Sequence, residues 1–569
     1  MTAERITINR LTWIRWGRAI KNFAASEVGG RAKLLALALV ALLVAINGLN
    51  IVNSYVGRDF MSSIEQQNMP RFFSYGLMYI GVFAVSTATA VIHRFVEERL
   101  GLLWRVWASQ RLCHLYLKDR NYFVLRDQKT IENPDQRIAD DVRVFTTTTL
   151  SFALMLLNGT FTVIAFSGVL WSISPWLFVV AGVYAAAGSS LTIIMGRPLV
   201  WLSYRQSDRE ATFRAELVHV RENAETVAIS RQEGRLKNRL AHRIDELANN
   251  ARKMIAVNRN LGFFTTGYNY LIQIIPALIV APLFIRGQAE FGVVPQASMA
   301  FSHLVGAFSL IVTQFQSISS YAATIARLSA LDEAVEGVTG AQAPNIRLVE
   351  EGTERVRYGH LTLTSPRRGR MLVNRLNLDI AKGVRVLVTS AEELGRVALF
   401  RATAGIWDHG EGIIVLPGIG HILFVSEHPY LPPGTLRQAV VRAGHEQSLS
   451  NEAICEVLRT LDAEVLIARA GGLDEERDWD SNFSLREQQL LAIARVLLAA
   501  PTFAFLDRIT TTLTPEDVER VLRALTDRSI TYVMFGVPNG ASAQFDAVLN
   551  MHVDGTWEWK AVRGHTPWS

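Results

Sequence analysis

The residues with the clearest chemical address lie between Phe483 and Leu513, in the stretch FSLREQQLLAIARVLLAAPTFAFLDRITTTL. Asp507 closes the uninterrupted apolar run Phe503-Ala504-Phe505-Leu506, the pattern of a parallel strand covered on both faces. An acid at the carboxyl end of such a strand stands where open α/β sheets bind ligands. Ahead of it, Ser484 and Glu487 have the spacing of a capping box. Leu490, Leu491, Ile493, Ala494, Val496 and Leu497 then give a broad apolar face. The spacing predicts a helix from Ser484, a break at Pro501 and a buried strand over 502–506. A second stretch reads strand, loop, helix: Val384 to Val388, then Ser390 to Arg396, then Val397 to Ala402. In that context a GxxxxGK[ST] loop cradles phosphate on backbone N–H groups, its Lys reaches the terminal phosphates and its hydroxyl binds magnesium. This loop instead carries Glu392 and Glu393, two carboxylates where a polyanion would have to sit.

The elements that must position these residues occupy the last two-fifths of a chain of 569 residues, too long for one ordinary domain. Hydrophobic residues make up 49% and charged residues 19%, with mean hydropathy +0.18, which points to a membrane protein carrying a water-facing part. Cys113 and Cys455 are far apart and lack metal spacing, which argues against a disulfide framework or a zinc site. Six apolar segments, near 33–55, 72–95, 147–171, 175–195, 261–286 and 296–321, are each long enough to cross a bilayer. The first is too long for a cleaved signal peptide and reads as an uncleaved span. Two links, Arg94 to Arg143 and Arg197 to Arg259, are long and arginine-rich, and the others are short. The positive-inside rule puts the basic amino terminus and both long links in the cytoplasm. The net charge of +6 is read the same way, not as a nucleic-acid patch. Residues 5–24 interleave arginines with Trp13 and Trp16, as suits a helix at the membrane surface. The run Phe213 to Ile229 reads as one long helix, and His303, inside the sixth segment, as a packing residue. After residues 335–347, which lose periodicity and gain Gly and Pro, strands are expected over 356–363, 376–380 and 384–389.

Taken together, FSLREQQ and FLDR (Phe505 to Arg508) resemble the signature helix and Walker B strand of an ABC-transporter nucleotide-binding domain. The resemblance is to the bacterial SbmA/BacA and peroxisomal fatty-acyl (ABCD) type, where these stretches read LSLGEQQ and FLDE. AGIW (Ala404 to Trp407) is similar to the family's AGLW, and Asn133, Pro134, Asp135, Gln136, Arg137 and Ile138 nearly repeat its NPDQRI motif. Pro134 cannot continue a helix, so a turn that restarts one is expected there, a hinge with coupling as its second role. The resemblance implies an all-α, six-helix transmembrane domain of the type-1 exporter kind followed by an α/β P-loop NTPase-like ABC domain. The expected boundaries are an amphipathic segment over 1–30, the membrane domain over 31–334, a linker over 335–350 and the ABC domain over 351–569.

ATP and magnesium are implied by the resemblance alone. Its site positions fall on Ser390, Gly395, Arg396, Val397, Glu427, Ser484, Arg486 and Asp507, with Asp507 at the magnesium position. Arg396 stands for the lysine, Val397 for the magnesium-binding hydroxyl, Glu427 for the Q-loop glutamine and Arg486 for the signature glycine. Arg508 stands for the catalytic glutamate and Val537 for the switch histidine, so no catalytic residue is expected to remain. Arginine at 508 can neither accept a proton nor polarise water. The sequence therefore leads to a homodimeric, multi-pass transporter of peptides or other bulky solutes in a bacterial inner membrane, both termini cytoplasmic, with a pseudo-ATPase domain and a proton gradient as the candidate drive. The alternatives are a non-transporting regulatory or assembly subunit and a conventional ATP-driven transporter with an unorthodox site.

Overall fold

In the computed structural model the chain divides into two compact units, Met1–Ala341 and Gln342–Ser569. The structure describes residues 10–127, 134–313, 321, 324–325, 327–335, 345–352, 354–366, 369–537 and 544–562.

The first unit is helical: α1 (Arg10–Ala24), α2 (Gly29–Glu65), α3 (Met69–Leu117), α4 (Asn121–Asp127), α5 (Pro134–Gln136), α6 (Val142–Ile173), α7 (Pro175–Glu222), α8 (Ala224–Ser230), α9 (Glu233–Ile285), α10 (Val293–Thr313) and α11 (residues 327–335). Among the described residues, 6 helices are long and apolar enough to cross a membrane, and they contain the expected segments. The last expected segment, 296–321, is described as helix only to Thr313. Three helices, α3, α7 and α9, far exceed a bilayer. At about 1.5 Å per residue, the 48 residues of α7 and the 53 of α9 reach roughly 70–80 Å, so each runs well beyond the apolar layer.

The expected single helix over Phe213–Ile229 is corrected. α7 ends at Glu222, and Asn223, with φ −111°, starts the short α8. The Asn223 amide donates to the His219 carbonyl at 2.8 Å, a side chain competing with the helical ladder. His303 lies flat against Phe166, ring centroids 4.4 Å apart, as a packing residue.

The second unit is α/β. Strands β1 (Ile346–Glu350), β2 (Arg355–Thr364), β3 (Met371–Ala381) and β5 (Gly410–Leu416) form a sheet in the order β1-β5-β2-β3. The expected linker over 335–350 is corrected at its end: 336–344 lie outside the described residues, and β1 pairs in parallel with β5. β4 (Val386–Ser390), β6 (Ile422–Val425), β9 (Phe503–Asp507), β10 (Thr531–Phe535), β11 (Ala547–Met551) and β12 (Trp557–Ala561) form the second sheet, ordered β12-β11-β4-β10-β9-β6. All its pairings are parallel except β11 with β12. The two-residue strands β7 (Gly434–Thr435) and β8 (Glu476–Arg477) pair separately.

Helices α12 (Glu393–Thr403), α13 (Leu436–Val440), α14 (Asn451–Thr460), α15 (Val465–Ala470), α16 (Trp479–Asn482), α17 (Leu485–Ala499) and α18 (Pro515–Asp527) complete this unit. α17 begins as its spacing requires: Ser484 Oγ accepts from the Glu487 N–H and Glu487 Oε2 accepts from the Ser484 N–H at 2.8 Å. Its Leu490, Leu491, Ile493, Val496 and Leu497 are buried, each contributing about 1.5–3 kcal/mol. That face packs in the core that also holds Ala504 and Leu506, which fixes β9 and with it Asp507.

Candidate functional site

The carboxyl ends of β4 and β9, one strand apart across β10, bring the two chemically interesting stretches together. β9 pairs Asp507 with Phe535, and β10 pairs Phe535 with Val388. Beyond Asp507 the backbone turns sharply: Arg508 adopts the left-handed conformation, φ 46°, and its N–H donates to the Phe535 carbonyl at 2.8 Å. The turn sends the Arg508 side chain across the site, where its guanidinium pairs with Glu393 at the start of α12 and with Glu427 after β6. Thr511 Oγ1 donates to Glu427 at 3.1 Å and holds that carboxylate in place.

Asp507 lies beneath this bridge, 4.0 Å from the Arg508 Nε. It is buried, and burial pushes its carboxyl above the usual range against the opposing pull of Arg508 and Arg396. Arg396 is also buried and its Nε has no hydrogen-bond partner. Desolvation, then the neighbouring Arg508, lowers its pKa, while Asp507, Glu393 and Glu427 act the other way. Two cations, Arg396 and Arg508, thus face three carboxylates, Glu393, Glu427 and Asp507.

The loop between β4 and α12 is likewise engaged. The Glu392 N–H donates to Ser390 Oγ at 3.2 Å and the Ala391 N–H to the Met551 carbonyl at 3.2 Å. Glu392 itself pairs with Arg370 at 2.8 Å. Gly395 is buried, and a Cβ there would meet Ser390 Oγ at 3.4 Å. Val397 is half-buried and offers no ligand. These residues do not fit a magnesium–nucleotide complex. The Glu392 and Ala391 N–H groups donate to protein acceptors, and Val397 leaves Asp507 without a hydroxyl partner.

Arg486 is not aimed at the Arg508 bridge. Its Nε and Nη2 make a bidentate pair with Asp517 at 2.7 and 2.9 Å, which ties α17 to the first turn of α18. Asp517 is buried, and the Arg486 guanidinium holds its carboxyl below the usual range. Val537 is exposed, with residues 538–543 beyond it outside the described set. Sequence reasoning missed Asp517, although Thr514-x-x-Asp517 has the readable capping spacing. It also missed Gln489, fully buried, whose amide reaches the Ser426 carbonyl at 3.3 Å and ties α17 to the Glu427 segment.

In the first unit, Pro134, Asp135 and Gln136 form the start of a helix that passes through a π-turn over Arg137–Asp141; Asn133 lies outside the described residues. Arg137 donates to the Arg327 carbonyl at 2.9 Å, and Arg327 grips Asp141 with two hydrogen bonds of 2.6 and 2.7 Å. This restarted helix is thereby fastened to α11.

Residues 22–285 match the family model described as ABC transporter transmembrane region 2. The chain is 33% identical to ABC transporter D family member 2, chloroplastic, of Arabidopsis thaliana, over 92% of this chain and 84% of that protein. It is 24% identical to the lysosomal cobalamin transporter ABCD4 of Mus musculus, over 93% of this chain and 92% of that protein. It is 23% identical to the inner membrane ABC transporter ATP-binding protein YddA of Escherichia coli, over 90% and 92% respectively.

Proposed function

Since the chain belongs to the ABC transporters of the D-family type, with a membrane region and an ATP-binding-type domain on one polypeptide, we propose that it moves a bulky solute without hydrolysing ATP. The observation that carries this reading is the Arg508 bridge to Glu393 and Glu427 over Asp507. A catalytic base and a phosphate cradle have been replaced by residues that neutralise one another. The replacements are consistent: each acid brought to the loop has a cation, and the arginine at the signature position has Asp517.

The α/β unit then serves as scaffold, joining two copies in a homodimer and supporting the membrane helices. The inner membrane is the location in keeping with the name of YddA. The arginine-rich extensions of α3, α7 and α9 favour cytoplasmic termini. Peptides and cobalamin-sized molecules set the expected solute size, the latter from the name of the ABCD4 relative. With no ATP hydrolysis, the proton gradient supplies the drive. Reconstituted into proteoliposomes, the full chain should take up a labelled peptide or cobalamin under an imposed pH gradient and show no response to ATP. Uptake that requires ATP and ignores the gradient would overturn the reading.

A further inference from the structure

The middle of α2 is polar for a helix that crosses a bilayer. Asn47, Asn50 and Asn53 follow at every third position and Ser54 adjoins them, all inside the first apolar segment. Polar side chains at that depth are costly, and they mark helix contacts or the routes of ions and protons. Asn47 is held by α6: its amide donates to Asn158 Oδ1 at 3.0 Å, and Thr162 Oγ1 donates to its Oδ1 at 2.9 Å. Three groups beside it are not held. Ser54 is 1% exposed and Gln296 of α10 is 4% exposed. Yet Ser54 Oγ, Asn53 Oδ1 and Gln296 Nε2 are buried without a hydrogen-bond partner among the described residues.

These groups fall in line along α2. Gly292 sits so close to α2 that a Cβ there would overlap the Arg58 carbonyl, and its N–H donates to Ser62 Oγ at 3.2 Å. Ser62 Oγ in turn donates to Glu290 at 3.0 Å. From this contact α10 runs antiparallel to α2, so Gln296, one turn on from Gly292, is level with Ser54, one turn back from Arg58. At the other side of α2, Gly57 and Phe60 lie against Tyr79 of α3. His93 is as far along α3 from Tyr79 as Leu43 is along α2 from Gly57, which sets it one turn from Asn47. His93 Nε2 is also buried and unpartnered among the described residues. One turn further, Glu97 accepts from Ser151 Oγ of α6 at 3.3 Å. Other ionisable groups are scarce beside this line. Between Leu34 and Val56 α2 carries only Tyr55, and between Val144 and Ile173 α6 carries none. His303 of α10 stacks on Phe166, Arg94 pairs with Glu98, Arg99 lies over Phe95, and Arg58 pairs with Asp59. α1 meets α3 further along, at Trp104 and Trp107.

We propose that this line is a proton path, with Glu290 and Glu97 exchanging protons at its two ends and His93 as a stop between them. Glu290 lies in the link between the fifth and sixth apolar segments, and Glu97 just past the end of the second. From Ser62 to the level of Glu97 is about 35 Å of α2 at 1.5 Å per residue, comparable to the roughly 30 Å of a hydrocarbon core. Buried polar groups without protein partners are where ordered water is held. Ser54, Asn53 and Gln296 hold it here, and each water or hydroxyl passes a proton on by donating one hydrogen while accepting another. The side chains are buried between packed helices, so the path admits a proton and not a bulky solute. It rests on the gradient-driven reading above and names the groups that carry its proton.

The test uses the full chain in proteoliposomes that hold a pH-sensitive dye, with a potassium diffusion potential to draw protons in. Unfolding temperatures of the same proteins are measured in detergent. The parent should acidify the lumen faster than protein-free vesicles. Gln296→Leu and Glu97→Gln should cut that rate about tenfold and Ser54→Ala several-fold. Thr160→Val, at an exposed position of α6, should leave it unchanged. Gln296→Leu and Ser54→Ala remove unpartnered polar atoms, so their unfolding temperatures should not fall, whereas a purely structural role for these side chains predicts a fall. No flux in the parent above protein-free vesicles, full flux in all three path variants, or flux lost only together with a fall in unfolding temperature would overturn the path. Solute uptake that requires ATP, with proton flux present in the parent and lost in Gln296→Leu, would overturn the gradient-driven reading and leave the path standing.

Discussion

Replacing Arg508 with alanine should open the bridged site and destabilise the α/β unit. In the parent, the guanidinium joins Glu427, whose side chain is 18% exposed, and Glu393, whose side chain is 63% exposed. The largely buried arm is a charged hydrogen bond worth about 1.5–3 kcal/mol. The exposed arm is screened and adds at most about 1 kcal/mol. Truncation also strands Glu427 and Asp507 facing each other, so a loss of about 3 kcal/mol is expected. For a unit of this size that corresponds to roughly 6–12 °C in unfolding temperature. The pH dependence has a definite sign. Burial already raises the Asp507 pKa above its unfolded value, so its protonation stabilises the fold at low pH, and that gain is lost as pH rises through the folded pKa. Removing the cation that opposes this shift raises the folded pKa further. The variant should therefore recover part of its deficit as pH falls toward the raised Asp507 pKa, where the parent changes less. Scanning fluorimetry of the full chain in detergent across that range reads both effects. A variant as stable as the parent at pH 7, or one whose deficit grows on acidification, would refute the bridge as the organising contact.

Arg486→Ala should cost about 1.5–3 kcal/mol by removing the bidentate pair and leaving the buried Asp517 with only Arg520, at 3.3 Å, as an ion-pair partner, and a double-mutant cycle with Asp517→Asn should recover most of it; additive losses would contradict the pairing. Because Arg486 depresses the folded pKa of Asp517, this stabilisation is present above the unfolded pKa and lost as pH falls through the lower folded one, so the cost of Arg486→Ala should shrink below about pH 4. Gly188→Ala would put a Cβ 2.2 Å from the Tyr268 ring, which stacks on Tyr184 at 4.3 Å. Overpacking of about 1–3 kcal/mol should lower membrane-unit stability, and Tyr268→Ala should relieve the clash. Ser484→Ala should cost about 1 kcal/mol by removing one arm of the α17 capping box, measurable as a small fall in unfolding temperature.

Much of this could be read from short-range pattern. The Ser484–Glu487 spacing, the apolar face of α17 and the run Phe503–Leu506 each encode a local decision, and each formed where expected. The six long apolar segments were legible for the same reason: a bilayer demands length and composition, not partners. What was not legible depends on which distant charges meet. Arg508 could be seen as a substitution, but its two carboxylate partners lie 115 and 81 positions away, and only the left-handed turn after β9 aims it at both. Asp517 and Arg327 were invisible as partners because nothing local distinguishes them from solvated charges. The break at Asn223 turns on one side chain reaching a carbonyl four residues back, a choice that a run of good helix formers does not announce. β1 is hard to tell from linker because an edge strand of five residues with one buried position carries little periodicity.

We propose that the chain's own charges, Arg508 with Glu393 and Glu427, fill the nucleotide position. The most direct measurement is magnesium–ATP binding and phosphate release by the purified full chain, with Asp507→Asn alongside. No saturable binding at millimolar nucleotide and no release above background are expected, identical in both proteins. Saturable binding or phosphate release that disappears in Asp507→Asn would contradict it.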